Sequence, residues 1–273
     1  MNVLIIGANG FLGNNVAKKC IEKGWMVTCS YNKNKNNIPK TVRLVSIHKA
    51  LNDKEKFDTV FLVAAFIPKS HDENSKQLFE SNVELPFQVH QAFPTATIVF
   101  SSSVSVYGTP EKILNENSPF NNPNKYGLSK LAAEYIIQSH SSYRILRFSS
   151  LYGKRMNQST FLPAILDQAI KHKSITLLGE GKRRQDYLYI DDAANYCIAA
   201  ALSKHSGIYL GVNGKSYTNS QVAEIVAKND RGCNILYTGV DKSPSFIYDN
   251  SHSLKALKFK PHYSLEKGIL KVI

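Results

Sequence analysis

Short apolar runs alternate with longer amphipathic segments through the first 150 residues of the chain. Apolar runs of this length, bounded by polar turn residues, are typical of buried strands. The pattern predicts six strands, at Val3–Ile6, Trp25–Ser30, Thr41–Ile47, Thr59–Ala65, Thr97–Ser102 and Tyr143–Phe148. It also predicts three helices, at Asn14–Lys23, at about Lys76–Ala92 and at Leu128–Ser139.

This alternation predicts an α/β fold built on a Rossmann-like, doubly wound parallel sheet with helices on both faces. After residue 150 the alternation becomes irregular, which predicts a smaller C-terminal substrate-binding lobe. We expect the Rossmann domain to comprise residues 1–150 and about 187–210, and the lobe to comprise about 151–186 and 211–273. Since ligands of such sheets bind at the carboxyl ends of the strands, the lobe is expected to cover that edge.

Three glycines follow the first predicted strand directly, at the spacing G-x-x-G-x-x-G. In such a motif Gly7 permits a tight turn, Gly10 lets the backbone approach a pyrophosphate, and Gly13 lets the helix pack closely on the strand. The free N–H groups and the positive end of the helix dipole then face the anion. The motif therefore predicts a dinucleotide-binding site, with Gly24 closing the helix at its C-terminus.

A second cluster of chemically active residues comprises Ser103, Tyr126 and Lys130. Ser103 ends the fifth predicted strand, and Tyr126 and Lys130 lie four residues apart, on one face of a helix. An ammonium group near a phenol favours the phenolate, so we expect Lys130 to lower the pKa of Tyr126 from about 10. Such a tyrosine can exchange a proton with a sugar hydroxyl or carbonyl, and Ser103 can hydrogen-bond the same oxygen. Tyr-x-x-x-Lys alone is common on amphipathic helices, so the prediction depends on its combination with the glycine motif.

Taken in order, these motifs resemble the extended short-chain dehydrogenase/reductase family of nucleotide-sugar epimerases, dehydratases and ketoreductases. The resemblance covers nearly the whole chain. Besides the motifs above it rests on Val63–Ala65, Ser81–Val83, Ser101–Gly108, Arg147–Gly153, Gly179–Gly181, Asp186–Ala193 and Phe259–Ile269. It implies an enzyme that acts on a nucleotide-diphosphate sugar and forms a homodimer through the Tyr126 helix and the helix before it.

The resemblance also implies roles for individual residues. Tyr126 would be the general acid/base, Lys130 would bind the ribose hydroxyls and tune Tyr126, and Ser103 would orient the substrate oxygen. Asn82 would support the active-site helix, although a turn residue or a helix cap explains it equally well. The implied cofactor-binding set is Gly7, Asn9, Gly10, Phe11, Leu12, Gly13, Tyr31, Asn32, Lys33, Val63, Ala64, Ala65, Asn82, Ser101, Tyr126 and Lys130.

Two positions on the substrate side depart from the family pattern. Ser150 stands where the family usually has an asparagine facing the diphosphate, and Gln185 stands where it usually has an arginine. Arg183 or Arg184 would then replace that arginine. The implied substrate-binding set is Ser103, Ser105, Ser150, Arg155, Arg183 and Arg184.

The end of the second predicted strand bears on the choice of cofactor. In this family, members that prefer NAD carry an acidic residue there, which binds the adenosine ribose. The segment Val27–Lys35 contains no carboxylate, and Lys33 or Lys35 can pair with a 2′-phosphate unless both belong to a solvated loop. NADP(H) is therefore favoured over NAD(H).

The residues after Ser103 restrict the reaction. Val104 and Ser105 stand where the family's 4,6-dehydratases place an Asp-Glu pair, and the region lacks the cysteine of 3,5-epimerase/reductases. Two reactions remain: NADPH-dependent reduction of a 4-keto-(6-deoxy)hexose nucleotide with Tyr126 as general acid, and 4-epimerisation by tightly bound NAD. The missing carboxylate and the short chain favour the ketoreductase. A non-catalytic dinucleotide-binding sensor is a second alternative, although such proteins commonly lose the tyrosine or the lysine.

A net charge of +13 raises the question of a nucleic-acid partner. The positive residues are spread along the chain, and the densest run, Lys182–Arg184, is short. No helix-turn-helix or single-strand-binding signature accompanies them. We therefore expect no nucleic-acid partner and interpret the charge as a lysine-rich surface that suits phosphate-bearing small molecules.

Composition limits the remaining classes. A hydrophobic content of 43% and a charged content of 20% are ordinary for a soluble globular protein. No apolar run reaches the length of about 18–20 residues that spans a bilayer, and the first strand leaves no room for a signal peptide, so no membrane partner is expected. The four cysteines lack CxxC spacing, which predicts reduced thiols in a cytoplasmic protein. No metal site is expected, because the histidines lack metal-ligand spacing.

Overall fold

A central sheet of seven parallel strands forms the framework of the computed structural model, which describes residues 1–53, 55–68, 75–110, 112–229 and 232–272. In chain order the strands of these residues are β1 (Asn2–Ile6), β2 (Met26–Tyr31), β3 (Arg43–Ser46), β4 (Thr59–Leu62), β5 (Thr97–Ser103), β6 (Tyr143–Phe148), β7 (Ser150–Tyr152), β8 (Ser174–Leu178), β9 (Arg184–Tyr189), β10 (Gly207–Gly211), β11 (Ser216–Thr218) and β12 (Asn234–Thr238).

The helices of the same residues are α1 (Phe11–Glu22), α2 (Ile47–Asn52), α3 (Ser75–Phe79), α4 (Leu85–Ala92), α5 (Lys125–Gln138), α6 (Phe161–His172), α7 (Ile190–Leu202), α8 (Asn219–Asn229), α9 (Ser251–Leu257) and α10 (Leu265–Ile269). A π-helical turn, Glu80–Glu84, joins α3 to α4, and a 3₁₀ turn, Val104–Tyr107, follows β5. None of the helices in the described ranges has the length and apolar character needed to cross a membrane.

The order of strands across the central sheet is β10-β6-β5-β4-β1-β2-β3. Every neighbouring pair is parallel. The winding of the chain reverses between β1 and β4, and ligands of open α/β sheets bind at the carboxyl ends of the strands flanking such a point. This topology confirms the predicted doubly wound α/β fold.

The two faces of the sheet are covered by different helices because side chains alternate along each strand. On β1, Val3 and Ile5 join the core cluster that includes residues of α1 and α7. Leu4 and Ile6 point to the opposite face and join the cluster that includes residues of α4 and α5. Both faces are therefore buried, which explains why the central strands are almost uniformly apolar.

Two predicted boundaries differ from the structure near the glycine motif. β4 ends at Leu62 rather than Ala65, because the backbone of Gly7 crosses the chain there. A Cβ on Gly7 would lie 2.6 Å from the Ala64 backbone nitrogen, which shows how closely the two segments approach. The first helix begins at Phe11 rather than Asn14, so Gly13 lies inside its first turn.

The helix predicted at about Lys76–Ala92 forms, but it contains the π-helical turn. Pro86 has no N–H, and in a regular α-helix its ring would clash with the carbonyl four residues earlier, which belongs to Asn82. In the structure the N–H of Leu85 donates instead to the Glu80 carbonyl, five residues back. The wider turn accommodates Pro86 and leaves the side chain of Asn82 fully buried.

Residues after 150 add two small sheets to this framework. One has the order β11-β9-β7, and the other pairs β12 with β8. The chain returns to the central sheet at β10, which pairs with β6. The division into a Rossmann domain and a substrate-binding lobe stays a prediction.

Gly13 is expected to be essential for packing α1 on β1. A Cβ at this position would lie 2.1 Å from the Gly7 carbonyl oxygen, so we expect Gly13→Ala to lower the free energy of unfolding by about 3 kcal/mol through overpacking against rigid backbone. Gly10→Ala is the matched control, because its Cβ would lie 3.1 Å from the same oxygen. Thermal denaturation should show a clearly larger loss for Gly13→Ala, and equal losses would contradict this account.

Candidate active site

The turn between β1 and α1 is shaped by its first two glycines. Gly7 adopts a φ of +97°, a conformation that side chains disfavour, and its carbonyl accepts a hydrogen bond from the Gly10 N–H at 3.0 Å. Gly10 is then the N-cap of α1, and no side chain of the described residues caps this helix end. Leu12 is buried in the core, whereas Phe11 is half-buried. The turn therefore presents backbone rather than side chains at the helix N-terminus.

The loop after β2 is held beside this turn by asparagines. The Nδ2 group of Asn9 donates to Oδ1 of Asn34 at 3.0 Å, and the Asn14 amide donates to the Asn37 carbonyl. Tyr31 ends β2 and is half-buried, with the Lys35 ammonium 4.6 Å from the centre of its ring. Asn32 and Lys33 are exposed. The sequence analysis did not identify Asn14 or Asn34, although the run of asparagines in this loop signalled local polar contacts.

Asn82 connects the end of β4 to α5. Val63 and Ala64 leave the sheet half-buried and Ala65 is exposed. The backbone of Phe66 then exchanges two hydrogen bonds with the Asn82 side chain, at 2.8 and 2.9 Å. Asn82 Nδ2 also donates to Ser129 Oγ at 3.0 Å. Asn82 is thus neither a surface turn residue nor a simple helix cap.

The start of α5 places Tyr126 beside Ser103. The Asn124 side chain caps the helix by accepting a hydrogen bond from the Gly127 N–H at 2.9 Å. Gly127 packs so closely on the 3₁₀ turn that a Cβ there would lie 2.2 Å from the Ser105 carbonyl oxygen. This close approach allows the hydroxyls of Tyr126 and Ser103 to hydrogen-bond.

The protonation of Tyr126 differs from the sequence-based expectation. Burial raises the pKa of the Tyr126 phenol to about 12, and this effect outweighs the hydrogen bond to Ser103, which lowers the pKa. The expected lowering by Lys130 is therefore wrong for the protein alone. The physical reason is that the same low-polarity surroundings also destabilise the ammonium that was expected to act on the phenol.

Lys130 is an unusual buried cation. Its side chain is 1% exposed, and its ammonium lies 4.1 Å from the centre of the Phe100 ring. Within the described part of the chain, no atom accepts a hydrogen bond from Nζ. Burial lowers the pKa of Lys130 to about 7, although the nearby charge of Glu134 raises it. Buried cations are rarely left without a partner, so this one indicates a place for a ligand.

The other serines of the β5 end have different surroundings. Ser101 is buried, and its hydroxyl is 3.4 Å from the Leu62 carbonyl on the neighbouring strand. Ser103 Oγ accepts a hydrogen bond from the Ser105 N–H and is 3.1 Å from Ser105 Oγ. Ser103 and Ser105 therefore form one pair of hydroxyls at the carboxyl end of the strand, whereas the Ser101 hydroxyl is directed into the sheet.

The predicted substrate-binding residues that lie after residue 149 are less tightly grouped than Ser103, Tyr126 and Lys130. Ser150 is exposed, and Arg155 lies in a loop with a left-handed φ of +72°. Arg183 Nε donates to the Pro244 carbonyl at 3.2 Å, whereas the Arg184 side chain is exposed. Among the described contacts, none joins these residues to Tyr126. Arg183 does line a cleft of about 520 Å³ together with Lys182, Tyr237 and Val240.

Several buried polar residues were given no role of their own by the sequence analysis. Asp186 accepts hydrogen bonds from Ser149 Oγ and from the N–H groups of Asn213 and Gly214, and burial raises its pKa to about 6. Glu134 pairs with Arg147 beneath Lys130. The available signal was the presence of two arginines, Arg144 and Arg147, inside the otherwise apolar strand β6. In the described ranges no cluster of three or more His, Cys, Asp or Glu residues is arranged to hold a metal ion.

Solved structures share this architecture. UDP-glucuronic acid 4-epimerase from Bacillus cereus, in complex with UDP-glucuronic acid and NAD, superposes with a TM-score of 0.86 at 19% identity. The match covers 99% of this chain and 97% of that one. At this identity the likeness confirms the Rossmann-like fold.

Sequence comparisons identify the family. UDP-glucose 4-epimerase of Lactobacillus helveticus is 26% identical over 312 residues, covering 96% of this chain and 93% of the relative. UDP-N-acetyl-alpha-D-glucosaminuronate decarboxylase of Bacillus cytotoxicus is 22% identical over 307 residues, covering 99% and 96%. The family model described as "NAD dependent epimerase/dehydratase family" matches residues 3–210. The match confirms the resemblance to extended short-chain dehydrogenase/reductase enzymes, and the chain belongs to the NAD dependent epimerase/dehydratase family.

Proposed function

We propose that the protein is a nucleotide-sugar 4-epimerase that uses bound NAD. The observation that carries the proposal is the buried ammonium of Lys130, which has no hydrogen-bond partner among the described residues. It lies one helical turn from Tyr126, whose phenol is hydrogen-bonded to Ser103. This arrangement is suited to removing a proton from a sugar hydroxyl and returning it later.

The choice of epimerisation over reduction rests on the relatives. The Lactobacillus helveticus relative is a UDP-glucose 4-epimerase, and the Bacillus cereus structure is a UDP-glucuronic acid 4-epimerase with NAD bound. Both favour the reaction that the sequence analysis placed second. Reduction of a 4-keto-(6-deoxy)hexose nucleotide by NADPH becomes the alternative, since Ser103, Tyr126 and Lys130 would serve either reaction.

The residues present fit a dinucleotide. The turn at Gly7, Gly10 and Gly13 exposes backbone at the N-terminus of α1, where a pyrophosphate would be bound. The Lys130 ammonium, which has no hydrogen-bond acceptor among the described residues, would donate to ribose hydroxyls. NAD, when bound, supplies the group that accepts and returns a hydride.

The chain's own residues handle the proton and the substrate oxygen. Tyr126 would accept the proton of the sugar hydroxyl at its phenol oxygen and hold it until the hydroxyl is formed again. Ser103 would hydrogen-bond the same sugar oxygen, and its contact with Ser105 keeps its hydroxyl at the strand end. Tyr126 can accept that proton only as a phenolate, and a protonated Lys130, held so by the bound ligand, would stabilise this phenolate against the burial that otherwise raises the pKa of the phenol.

A nucleotide-diphosphate sugar is the proposed substrate class, as in the relatives named above. Arg183 lines a cleft of about 520 Å³, where its guanidinium can bind a diphosphate. Lys182 lines the same cleft but is ion-paired with Glu180, so we propose Arg183 as the main contact. Ser150 and Arg155 stay candidates for the same role. Arg184 is the weaker candidate, because its Nη1 points to the Ser216 carbonyl at 3.5 Å.

The preference between the two dinucleotides stays a prediction. The absence of a carboxylate at the end of β2 and the exposure of Lys33 favour NADP(H), whereas the Bacillus cereus structure contains NAD. We propose that the site binds NAD and does not exclude NADP. Parallel calorimetric titrations test this, and failure of NAD to bind would contradict it.

A homodimer is proposed from the surface of α4 and α5. Phe79 and Phe87 are 57% and 46% exposed before and within α4, and Leu128 and Tyr135 are 51% and 61% exposed on α5. Exposed apolar side chains on two adjacent helices favour contact with a second copy of the chain. Light scattering coupled to size exclusion measures the mass, and a monomer at micromolar concentration would contradict the proposal.

The test of function combines product analysis with cofactor accounting. The protein is incubated with UDP-glucose, UDP-N-acetylglucosamine and UDP-glucuronic acid, and the products are identified by NMR. We expect inversion at C4 of at least one sugar with no net change in reduced nicotinamide. Stoichiometric loss of NADPH with a 4-keto sugar nucleotide would establish the ketoreductase instead. Saturable NAD binding without turnover of any sugar would support the non-catalytic sensor.

Tyr126→Phe tests the proposed acid/base. We expect turnover to fall by about 10²- to 10⁴-fold, because the proton loses its acceptor, while NAD affinity and thermal stability stay close to wild type. Tyr143→Phe, at the start of β6, is the matched control, since this tyrosine belongs neither to the proposed site nor to the proposed dimer surface. Wild-type turnover in Tyr126→Phe would remove this residue from the reaction.

Lys130→Met tests the energetic cost of the buried ammonium. The unfolded chain keeps this proton up to pH 10.5, whereas the folded protein loses it near pH 7, so the lysine destabilises the cofactor-free fold below pH 10.5. We expect Lys130→Met to raise the free energy of unfolding by about 3 kcal/mol at pH 7, and the gain to disappear above pH 10.5.

Lys125→Met, which alters an exposed lysine at the start of the same helix, is the control for Lys130→Met. Denaturant titrations of the cofactor-free proteins at several pH values give the comparison. A cofactor-free Lys130→Met protein that is less stable than wild type at pH 7 would contradict the argument.

A further inference from the structure

Lys130 and Glu134 lie on one face of α5 without forming an ion pair. A lysine and a glutamate four residues apart on a helix normally attract each other, and the attraction grows in a buried environment. Both side chains are buried, at 1% and 0% exposure. Among the described residues, however, the carboxylate of Glu134 is paired with Arg147, and Lys130 Nζ has no hydrogen-bond partner.

Both oxygens of Glu134 are already occupied. Arg147 donates from Nη2 to Oε2 at 2.7 Å and from Nε to Oε1 at 3.0 Å. Ser102 Oγ donates to Oε1 at 2.5 Å. This two-point contact between a planar guanidinium and a carboxylate is geometrically specific and strong.

Arg147 is itself fixed from its other side. Its Nη1 donates to the Tyr107 hydroxyl at 2.9 Å and to the Glu116 carbonyl at 3.0 Å. Its guanidinium also lies 4.8 Å from the centre of the Tyr107 ring and 5.3 Å from that of Phe120. These contacts leave the guanidinium one position, in which it faces Glu134.

We propose that Arg147 is a positioning residue that withholds Glu134 from Lys130, so that the lysine ammonium stays directed at the cofactor. The proposal rests on the proposed function, in which Lys130 binds the ribose hydroxyls. Without Arg147, the carboxylate would be a buried charge one helical turn from a buried ammonium. The two would then hydrogen-bond each other, whichever held the proton, and Lys130 would be lost to the ligand.

The charges around Lys130 predict opposite shifts in the pH dependence of NAD binding for two substitutions, and this makes the proposal testable. Glu134 and Tyr126 face it from its own helix, and Arg147 and Tyr107 lie beyond Glu134 on β6 and on the 3₁₀ turn. Removing the cation of Arg147 leaves Glu134 free to hold the Lys130 proton, so binding should persist to higher pH. Removing the anion of Glu134 leaves an uncompensated cation, so binding should be lost at lower pH.

Arg147→Met is the first variant. After co-purified nucleotide is removed with charcoal, calorimetry should show NAD affinity at pH 7 at least 10-fold weaker than in wild type, and turnover should fall by a similar factor. Arg144→Met is the matched control, because Arg144 is a second buried arginine on β6 that contacts Ser142, Tyr143 and Ser203 instead. A purely structural role predicts similar effects of the two substitutions on NAD affinity.

Glu134→Gln keeps the shape of the Glu134–Arg147 pair. It therefore provides a second test of the proposal if Arg147→Met does not fold. The pH midpoint of NAD binding should move down by about one unit in Glu134→Gln and up in Arg147→Met. The double variant Glu134→Gln/Arg147→Met should recover NAD affinity to within about threefold of wild type, because a neutral amide competes for the Lys130 ammonium far less strongly than a buried carboxylate does.

Unshifted midpoints, or a double variant that binds NAD no better than Arg147→Met, would overturn the proposal. Failure of wild type to bind NAD at all would instead overturn the proposed function.

Discussion

The site depends on one constraint: the ammonium group of Lys130 is buried away from water. Lys130 is surrounded by Phe100, by its own helix and by a carboxylate that is already paired. Its charge is therefore poorly stabilised by the protein, and a polar ligand can supply the missing hydrogen bonds. Such an arrangement trades folding stability for binding, as functional sites commonly do. The Asn82 bridge to Ser129 and the Glu134–Arg147 pair both hold residues of the helix that carries this group.

Much of the framework could be predicted from sequence because its signals are local. The runs at Val3–Ile6 and Tyr143–Phe148 are strands within one residue of the prediction, and the glycine spacing located the turn at the end of β1. Asn124 caps α5 by accepting a hydrogen bond from Gly127, which is only three residues further along the chain. In each case a short stretch of sequence contains all the groups that determine the structure.

The remaining features depend on partners that are distant in the chain. Arg147 meets Glu134 across two elements, and the strand pattern around Arg147 carries no sign of its partner. The pKa of Tyr126 moves opposite to the expectation because burial, a property of the whole fold, raises it by more than the hydrogen bond with Ser103 lowers it. The π-helical turn likewise required knowing that Asn82 must reach Ser129 while Pro86 follows four residues later. The cleft that contains Arg183 is also built from segments that are distant in the chain, at residues 179–183 and 237–241.

The π-helical turn implies that chain length and residue identity are constrained differently in this segment. Glu80 and Glu84 are exposed, so their side chains are free to change with little effect on packing. Loss of a single residue between them would convert the turn to regular α-helix and rotate what precedes it by about 100° relative to α4. Asn82 would then point away from α5. Related chains should therefore vary in composition here while tolerating neither insertions nor deletions.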